Sequence, residues 1–245
     1  MSLTVNPKKR MNKNEMQKIL ATRGQPHLTA AAFTIASLAN PKNTVPLKGL
    51  YFRGPAGSGK STTARFVADC AGAEYWEISS GISLPELLMG NEEKGTRGLT
   101  HILSLERSTG AKLIYFEEFA RCKECVRTFI LDLADPNKTV GNDKWGMIRE
   151  RVLLVIGTNE GVANPAIAGP SGRFLDVPLE TLTPAEISAK IDKEAATYGC
   201  KLTTGGKAAL QFYSPATHRG IESLIYRVCG GNEEMNAEGV LRAIK

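Results

Sequence analysis

Short apolar runs alternate with helix-like patterns through the middle of the chain. The runs predicted to form strands are Leu50–Phe52, Tyr75–Ile78, Leu113–Phe116, Val152–Ile156 and Phe174–Val177. Most of them are nearly continuous in apolar residues, which is typical of strands covered on both faces. Strands that alternate with helices favour parallel pairing. The pattern therefore predicts an α/β fold with a parallel five-stranded sheet and flanking helices.

After Pro178 the pattern becomes helical, without further strand-like runs. The segment Thr183–Glu186 is a capping box with proline at the first helical position, so we expect a helix to begin there. Further helices are predicted over Lys207–Tyr213, His218–Val228 and Ala237–Ile244. The α/β part is therefore expected to be followed by a small all-α domain.

The segment before the first strand is basic at its start and then helix-like. Helices are predicted over Asn12–Thr22 and Leu28–Leu38, with a turn at Asn40–Asn43. The clustered cations are Lys8, Lys9, Arg10, Lys13 and Lys18. Such a cluster is compatible with a nucleic-acid arm, a localisation signal or a solvated tail.

The first predicted strand leads directly into a glycine-rich loop, which the helix-like segment Thr63–Ala68 follows. The loop is a complete Walker A motif, formed by Gly54, Pro55, Ala56, Gly57, Ser58, Gly59, Lys60, Ser61 and Thr62. Glycines let the backbone fold into a cradle lined with N–H groups, and the helix start adds partial positive charge. Lys60 is expected to reach the β- and γ-phosphates, and the Ser61 hydroxyl to coordinate magnesium. The motif predicts a nucleotide-binding chain with ATP and Mg²⁺ as cofactors.

The strand predicted at Leu113–Phe116 ends in two carboxylates, Glu117 and Glu118. They form a Walker B motif, in which Glu117 is expected to hold the water shell of magnesium and Glu118 to polarise the attacking water. Glu117 stands where most such motifs carry aspartate. The alternative is a pair of exposed glutamates that merely follow a strand.

The strand predicted at Val152–Ile156 leads into Gly157, Thr158 and Asn159. Ligands of parallel sheets bind at the carboxyl ends of the strands. Asn159 is therefore expected beside the γ-phosphate, where it would orient the lytic water. The alternative is that Thr158 and Asn159 only begin a turn.

These motifs, in this order, resemble those of the AAA+ ATPases, and the resemblance extends from about Pro46 to the C-terminus. It implies a P-loop NTPase core with Asn159 as sensor 1, followed by a helical lid. Gly172-Arg173-Phe174 is similar to the segment that closes the family's core, which implies that Arg173 is an arginine finger for ATP in a neighbouring subunit. The alternative is that Arg173 only pairs with a local acid such as Asp176.

Two other segments resemble parts of the family. Arg219–Ile225 is similar to the lid helix that opens with the sensor 2 arginine, which implies that Arg219 contacts phosphate in its own subunit; the alternative is a cation on the helix surface. Leu87–Glu92 is similar to the pore loop, with Leu88 and Met89 where many members carry an aromatic residue. The alternative for this loop is the buried start of a helix.

One long segment, Asp135–Arg151, is polar and basic around a Gly141–Asp143 turn. Its cations and aromatic residue are Lys138, Lys144, Trp145, Arg149 and Arg151. A basic hairpin with one aromatic residue would suit a nucleic-acid backbone, and a polar surface loop explains the composition as well.

Composition restricts the class of protein more than it restricts the substrate. The 245 residues are 42% apolar and carry a formal net charge of +6, which indicates a globular protein and permits a polyanionic partner. The odd number of cysteines, and the lone Cys122–Cys125 spacing without a second pair, argue against disulfide scaffolds and zinc. Without a membrane-spanning run or signal peptide, we expect a cytoplasmic protein with no membrane partner.

The expected organisation is a basic N-terminal extension over 1–27, an ATPase core over 28–180 and a lid over 181–245. The leading hypothesis is an AAA+ ATP hydrolase that acts at subunit interfaces of a homo-oligomer, expected to be a hexameric ring, and remodels or translocates a nucleic acid or a protein. The alternative is an ATP-gated loader or assembly factor with slow hydrolysis. A small-molecule kinase would not require a sensor such as Asn159 or an arginine such as Arg173 that acts on a neighbouring subunit. A helicase of superfamily 3 is a nearer alternative, but the helical tail fits an AAA+ lid better.

Overall fold

The structure is a computed structural model that describes residues 12, 14, 15, 18, 49–100, 112–135, 152–161, 164–168, 173–179, 181–230 and 233–244. These residues divide into two compact units. The first contains the strand at 49–53 and the described part of Lys60–Pro178, and the second contains the loop Gly54–Gly59 and the described part of Leu179–Lys245. The predicted helix over Leu28–Leu38 and the basic residues of the segment after Asp135 lie outside the described residues.

The first unit is built from parallel strands and the helices between them. Its strands are β1 (Gly49–Arg53), β2 (Glu74–Ile78), β3 (Gly90–Asn91), β4 (Thr96–Arg97), β5 (Lys112–Phe116), β6 (Val152–Thr158) and β7 (Phe174–Pro178). Its helices are α1 (Lys60–Ala71), α2 (Leu84–Met89) and α3 (Glu124–Ala134), with a 3₁₀ turn at Phe119–Arg121. Every strand predicted from the apolar pattern is present.

The principal sheet is five-stranded, in the order β2-β5-β6-β1-β7, and all four pairings are parallel. The prediction of a parallel five-stranded sheet is confirmed. The register pairs Phe116 of β5 with Ile156 of β6, and Arg53 of β1 with Thr158 of β6. The carboxyl ends of these three neighbouring strands therefore lie at one edge of the sheet.

Apolar packing on the sheet explains why these segments are strands. Every residue of β5 and β6 is buried, as expected for strands covered on both faces. Helix α3 packs Val126, Ile130 and Leu133 into the same core. Gly157 in β6 is a close-contact position, because a Cβ there would lie 2.3 Å from the hydroxyl oxygen of Tyr115. The glycine leaves the space that the buried tyrosine ring occupies.

The second unit is mainly helical, as predicted. Its helices are α4 (Pro184–Thr197), α5 (Thr204–Tyr213), α6 (His218–Cys229) and α7 (Ala237–Ile244). Thr183 forms the predicted capping box: its hydroxyl accepts from the Glu186 N–H, and the Glu186 carboxylate accepts from the Thr183 N–H. The apolar faces of the helices share one core, which includes Ile191, Leu210 and Ile225.

One feature of the second unit was not predicted. Lys201–Leu202 (β8) pairs in parallel with Glu234–Met235 (β9). Each strand is two residues long, which is too short for an alternating pattern to reveal. This ladder adds to the helical unit without changing its class.

We expect Gly157→Ala to destabilise the protein by about 1–3 kcal/mol, because the new methyl group meets the Tyr115 hydroxyl in a fully packed core. Tyr115→Phe removes that oxygen, so the double variant should recover part of the loss. Urea unfolding of both single variants and the double variant gives the coupling energy. Strictly additive effects would show that the two residues do not compete for this space.

Candidate functional site

The phosphate loop has the backbone conformation that a phosphate cradle requires. Gly57 and Gly59 have φ of +78° and +89°, a region that side-chain-bearing residues rarely adopt. The loop closes on itself through the Ser58 N–H, which donates to the Pro55 carbonyl at 3.2 Å. Within the motif, Ser58 is buried, while Pro55, Ala56 and Thr62 are exposed. Helix α1 begins at Lys60, directly after the loop in sequence, and the free N–H groups and positive dipole at a helix start favour a phosphate group.

Three polar side chains predicted from separate motifs form one hydrogen-bonded chain. Lys60 Nζ donates to Asn159 Oδ1 at 2.8 Å. Asn159 Nδ2 donates in turn to Glu118 Oε1 at 3.2 Å. Lys60 is only 8% exposed, so its ammonium is held largely away from solvent beside the asparagine. The side chains predicted for Walker A, Walker B and sensor 1 therefore lie together.

Glu118 lies in a strained backbone position at the end of β5. Its φ of 47° and ψ of 48° make it the one residue other than glycine with positive φ in the described part of the chain. A left-handed conformation at a side-chain-bearing residue costs about 1–3 kcal/mol and is concentrated at functional sites. Arg121 holds the second oxygen of this carboxylate, with Nη1 2.8 Å from Oε2. The strain and the two partners together fix the direction of the carboxylate.

The residues predicted to hold magnesium supply suitable oxygen atoms. Ser61 is the second residue of α1 and is half-buried, and Glu117 is half-buried just after β5. The Glu117 backbone is fixed because its N–H donates to the Ile78 carbonyl at 2.9 Å. A hydroxyl and a carboxylate are the hard oxygen ligands that Mg²⁺ prefers. The donor set thus fits the ion that the sequence predicts.

Arg173 has a local acidic partner, but that partner is not Asp176. Its Nε donates to Asp135 Oδ2 at 3.1 Å, and its Nη2 lies 3.0 Å from the same oxygen. Asp176 instead accepts from Arg53 Nε at 2.9 Å. The alternative that named Asp176 is therefore wrong about the partner. The reason is the alternation of side chains along β7, where Asp176 stands in register with Tyr51 of the neighbouring strand.

Arg219 lies beside the phosphate loop within the second unit. It is the second residue of α6, whose start is capped by Thr217 accepting from the Gly220 N–H at 3.2 Å. A Cβ built at Gly57 would lie 3.0 Å from the Cβ of Arg219. The side chain is exposed. The predicted sensor 2 arginine is thus adjacent to the loop that it is expected to assist.

Two side chains of β1 anchor the turn that carries Asn159, and neither was predicted. The Tyr51 hydroxyl donates to Glu160 Oε2 at 2.8 Å, and Arg53 Nη1 donates to the Gly161 carbonyl at 2.7 Å. Burial, followed by the nearby Glu160 carboxylate, raises the pKa of Tyr51 to about 12, so the phenol keeps its proton at neutral pH. The sequence offered one signal for this pair. Tyr51 and Arg53 are two residues apart in a predicted strand, which puts both side chains on one face of the sheet.

Outside the nucleotide motifs, the predicted pore segment contains the end of α2, all of β3 and Glu92. Leu87 is buried, Leu88 is partly buried and Met89 is 74% exposed. Of the two candidates for an exposed apolar contact, Met89 has the more accessible side chain. A Cβ at Gly98 would lie within 2.4 Å of the Leu88 carbonyl oxygen, so the β3–β4 hairpin packs tightly on this helix end.

The cysteines do not form a metal site within the described residues, in which no cluster of three candidate ligands occurs. Cys122 is buried and Cys125 is exposed. Over the same residues, no helix is long and apolar enough to cross a membrane.

The chain resembles known proteins in both sequence and fold. Residues 50–166 match the ATPase family associated with various cellular activities (AAA). No curated protein matches the chain significantly. A mutant of RuvB from Thermotoga maritima is similar with a TM-score of 0.64 at 18% identity, over 98% of this chain and 73% of that one. A structure of the same protein described as a Holliday junction branch migration motor gives 0.60 at 18% identity, over 96% and 69%.

At this identity the structural likeness shows the fold alone, and the family assignment rests on the sequence match. That match includes β1, the phosphate loop, both carboxylates that follow β5 and Asn159 after β6. The same elements bring Lys60, Asn159 and Glu118 into one hydrogen-bonded chain. The match over residues 50–166, together with this geometry, identifies an AAA+ ATPase domain with ATP hydrolase activity.

Proposed function

We propose that the protein hydrolyses ATP at the interfaces of a homo-oligomeric ring, expected to be hexameric, and uses the energy to remodel or translocate a nucleic acid. The hydrogen-bonded chain of Lys60, Asn159 and Glu118 is the observation that supports this proposal most directly. It joins a phosphate-binding cation, a polar sensor and a carboxylate base, which are the groups that phosphoryl transfer to water requires.

Each of these side chains has a defined task in the proposed reaction. Lys60 neutralises the β- and γ-phosphates, Asn159 orients the attacking water, and Glu118 accepts a hydrogen bond from that water. Ser61, and Glu117 through water, would hold Mg²⁺, which supplies further neutralisation of the phosphates when bound. Glu118 suits its task because its backbone and both carboxylate oxygens are already constrained. Arg219 would contact phosphate bound in its own subunit.

The oligomer in this proposal follows from Arg173. Its guanidinium is partly exposed, and by its family position it acts on ATP bound by a neighbouring subunit. A guanidinium that can act only on a neighbour makes hydrolysis depend on assembly. The proposed domains are an ATPase core over 28–180 and a lid over 181–245, with 1–27 as a basic extension.

The preference for a nucleic acid has three supports of different kinds. RuvB, whose fold this chain shares, is described as a motor for branch migration of Holliday junctions. The net charge of +6 favours a polyanion. The exposed pore-segment side chain is Met89, not an aromatic residue of the kind that grips polypeptides in related motors.

A nucleotide-gated loader is the second candidate. It is favoured by the pairing of Lys60 and Glu118 with protein groups, which ATP binding would have to exchange for contacts with phosphate and water. Such an exchange can bias a conformational switch as readily as it prepares hydrolysis. Slow turnover that a bound polymer does not accelerate would distinguish this candidate from the motor.

Glu118→Gln should preserve ATP binding and lower the turnover rate by about 10²–10⁴-fold, because the amide cannot accept a proton from the attacking water. Binding of a fluorescent ATP analogue and steady-state phosphate release measure the two effects separately. Lys60→Ala is the comparison variant, and it should lose nucleotide binding itself. Wild-type turnover by Glu118→Gln would rule out this residue as the catalytic carboxylate.

Arg173→Ala should keep the ATP affinity of the monomer and lose about 10³–10⁵-fold in turnover. Co-assembly with Glu118→Gln subunits should restore activity, because the second variant supplies an intact arginine to the first variant's intact site. The rate per subunit of the wild type should also rise with protein concentration. A lack of complementation at every mixing ratio would contradict a site shared between subunits.

The substrate class can be tested by adding polymers to the wild type at a concentration where it assembles. We expect duplex or single-stranded DNA to raise ATP turnover several-fold, with a strong decrease as salt concentration increases. An unfolded polypeptide is the matched alternative. Stimulation by the polypeptide alone would replace the nucleic acid in the proposal, and no stimulation by any polymer would favour the loader.

A further inference from the structure

We propose that Asp135 is a positioning residue for Arg173, holding its guanidinium in the orientation in which it reaches ATP bound by a neighbouring subunit. This inference rests on the role proposed above for Arg173. It adds a residue that lies outside every nucleotide motif of the sequence.

The geometry of the pair fixes how the guanidinium is turned. Arg173 Nε and Nη2 both lie on one carboxylate oxygen of Asp135, at 3.1 and 3.0 Å. An oxygen shared by two nitrogens turns the Nε/Nη2 edge of the planar group toward Asp135 and puts Nη1 on the opposite side. The Nη1 side has no partner among the described residues. In the proposal, Nη1 is the nitrogen that contacts a phosphate oxygen.

The acidic partner is held firmly by its own helix. Asp135 is the C-terminal cap of α3, and its N–H donates to the Asp132 carbonyl at 3.1 Å. Its side chain is 17% exposed. Helix α3 is packed into the core through Val126 and Ile130, both fully buried. Because the backbone under Asp135 cannot move easily, its carboxylate offers a fixed point for the guanidinium.

The backbone of Arg173 is fixed as well. Its carbonyl accepts from the Gly49 N–H at 3.2 Å, and the next residue, Phe174, donates its N–H to the Ile167 carbonyl at 3.1 Å. Phe174 is buried and begins β7, where its ring occupies the space beside Gly49. Both ends of the Arg173 side chain are therefore anchored, one through its backbone and one through Asp135.

Electrostatics favour this arrangement over a free arginine. The C-terminus of α3 carries partial negative charge, which attracts the guanidinium in addition to the Asp135 carboxylate. A long side chain that must act across a subunit interface loses less conformational entropy on assembly if it is already held in one rotamer. The proposed benefit is therefore pre-organisation of the finger before a neighbour arrives.

Asp135→Asn is the informative variant, because it keeps the shape of the side chain and removes its charge. We expect the turnover rate at saturating ATP to fall about 10–100-fold, since a misplacement of about 1 Å costs roughly this much. The KM for ATP should stay within about twofold, since Asp135 acts on a site in another subunit. Asp135→Glu, which keeps the charge, should retain more activity than Asp135→Asn. Asp192→Asn is the matched control, since it removes an ion pair with Lys207 in the second unit and should leave turnover unchanged.

The decisive measurement is subunit mixing. Asp135→Asn subunits should regain activity when co-assembled with Glu118→Gln subunits, which donate an intact Arg173 and Asp135 pair. The same subunits mixed with Arg173→Ala should regain none, because neither partner then donates a working finger. A variant that is merely misfolded at its own ATP site would give the opposite pattern, with no activity beside Glu118→Gln and regained activity beside Arg173→Ala.

The outcomes separate this inference from the proposed function. If Arg173→Ala is complemented by Glu118→Gln and Asp135→Asn is not, the positioning role is wrong and the shared site remains. If neither is complemented, the shared site itself is wrong. Unchanged or increased turnover of Asp135→Asn alone would also overturn the positioning role, and an increase would show that the pair restrains the finger.

Discussion

The parallel register of β5, β6 and β1 is the constraint on which the ATP site depends. Pairing Phe116 with Ile156, and Arg53 with Thr158, brings three strand ends to one edge of the sheet. The phosphate loop, the Walker B carboxylates and Asn159 each follow directly from one of these ends. A shift of one residue in any pairing would turn the side chains to the opposite face and separate Lys60, Asn159 and Glu118.

The side chains at this edge are polar and partly buried, and their charged groups pair with other side chains of the protein. The Lys60 ammonium lies on Asn159, and the Glu118 carboxylate lies between Asn159 and Arg121. Burying a charge without such partners would cost several kcal/mol, on the order of the whole stability of a domain. In the proposed function, ATP binding makes these side chains exchange partners, which would link nucleotide binding to conformation.

The two arginines near β7 show how the sheet distributes charge. Arg53 donates to Asp176, which lies in β7, and also holds the turn after Asn159 by donating to the Gly161 carbonyl. Arg173, at the start of the same strand, is paired with an acid from the end of a helix, Asp135. One arginine thus holds the turn after Asn159, while the other is held against the end of a helix.

Much of the fold and part of the site were determined by local sequence. Continuous apolar runs predicted the five strands, the Thr183–Glu186 box predicted the start of a helix, and the glycine-rich loop predicted its own backbone conformation. These features succeed because the responsible residues are adjacent in sequence. Strand-end carboxylates and Asn159 were also found, since parallel α/β sheets bring the ends of their strands together.

Only the tertiary structure decided which distant side chains pair. Arg173 and Asp135 are 38 residues apart, and Tyr51 and Glu160 are 109 apart. Asp176 is close to Arg173 in sequence and was named as its partner, but the pairing of β1 with β7 places Asp176 beside Arg53. The β8–β9 ladder was also missed, because its two-residue strands are too short to show periodicity and form only by pairing with each other. Sequence determined the elements and the chemical groups; long-range packing determined how those groups are held.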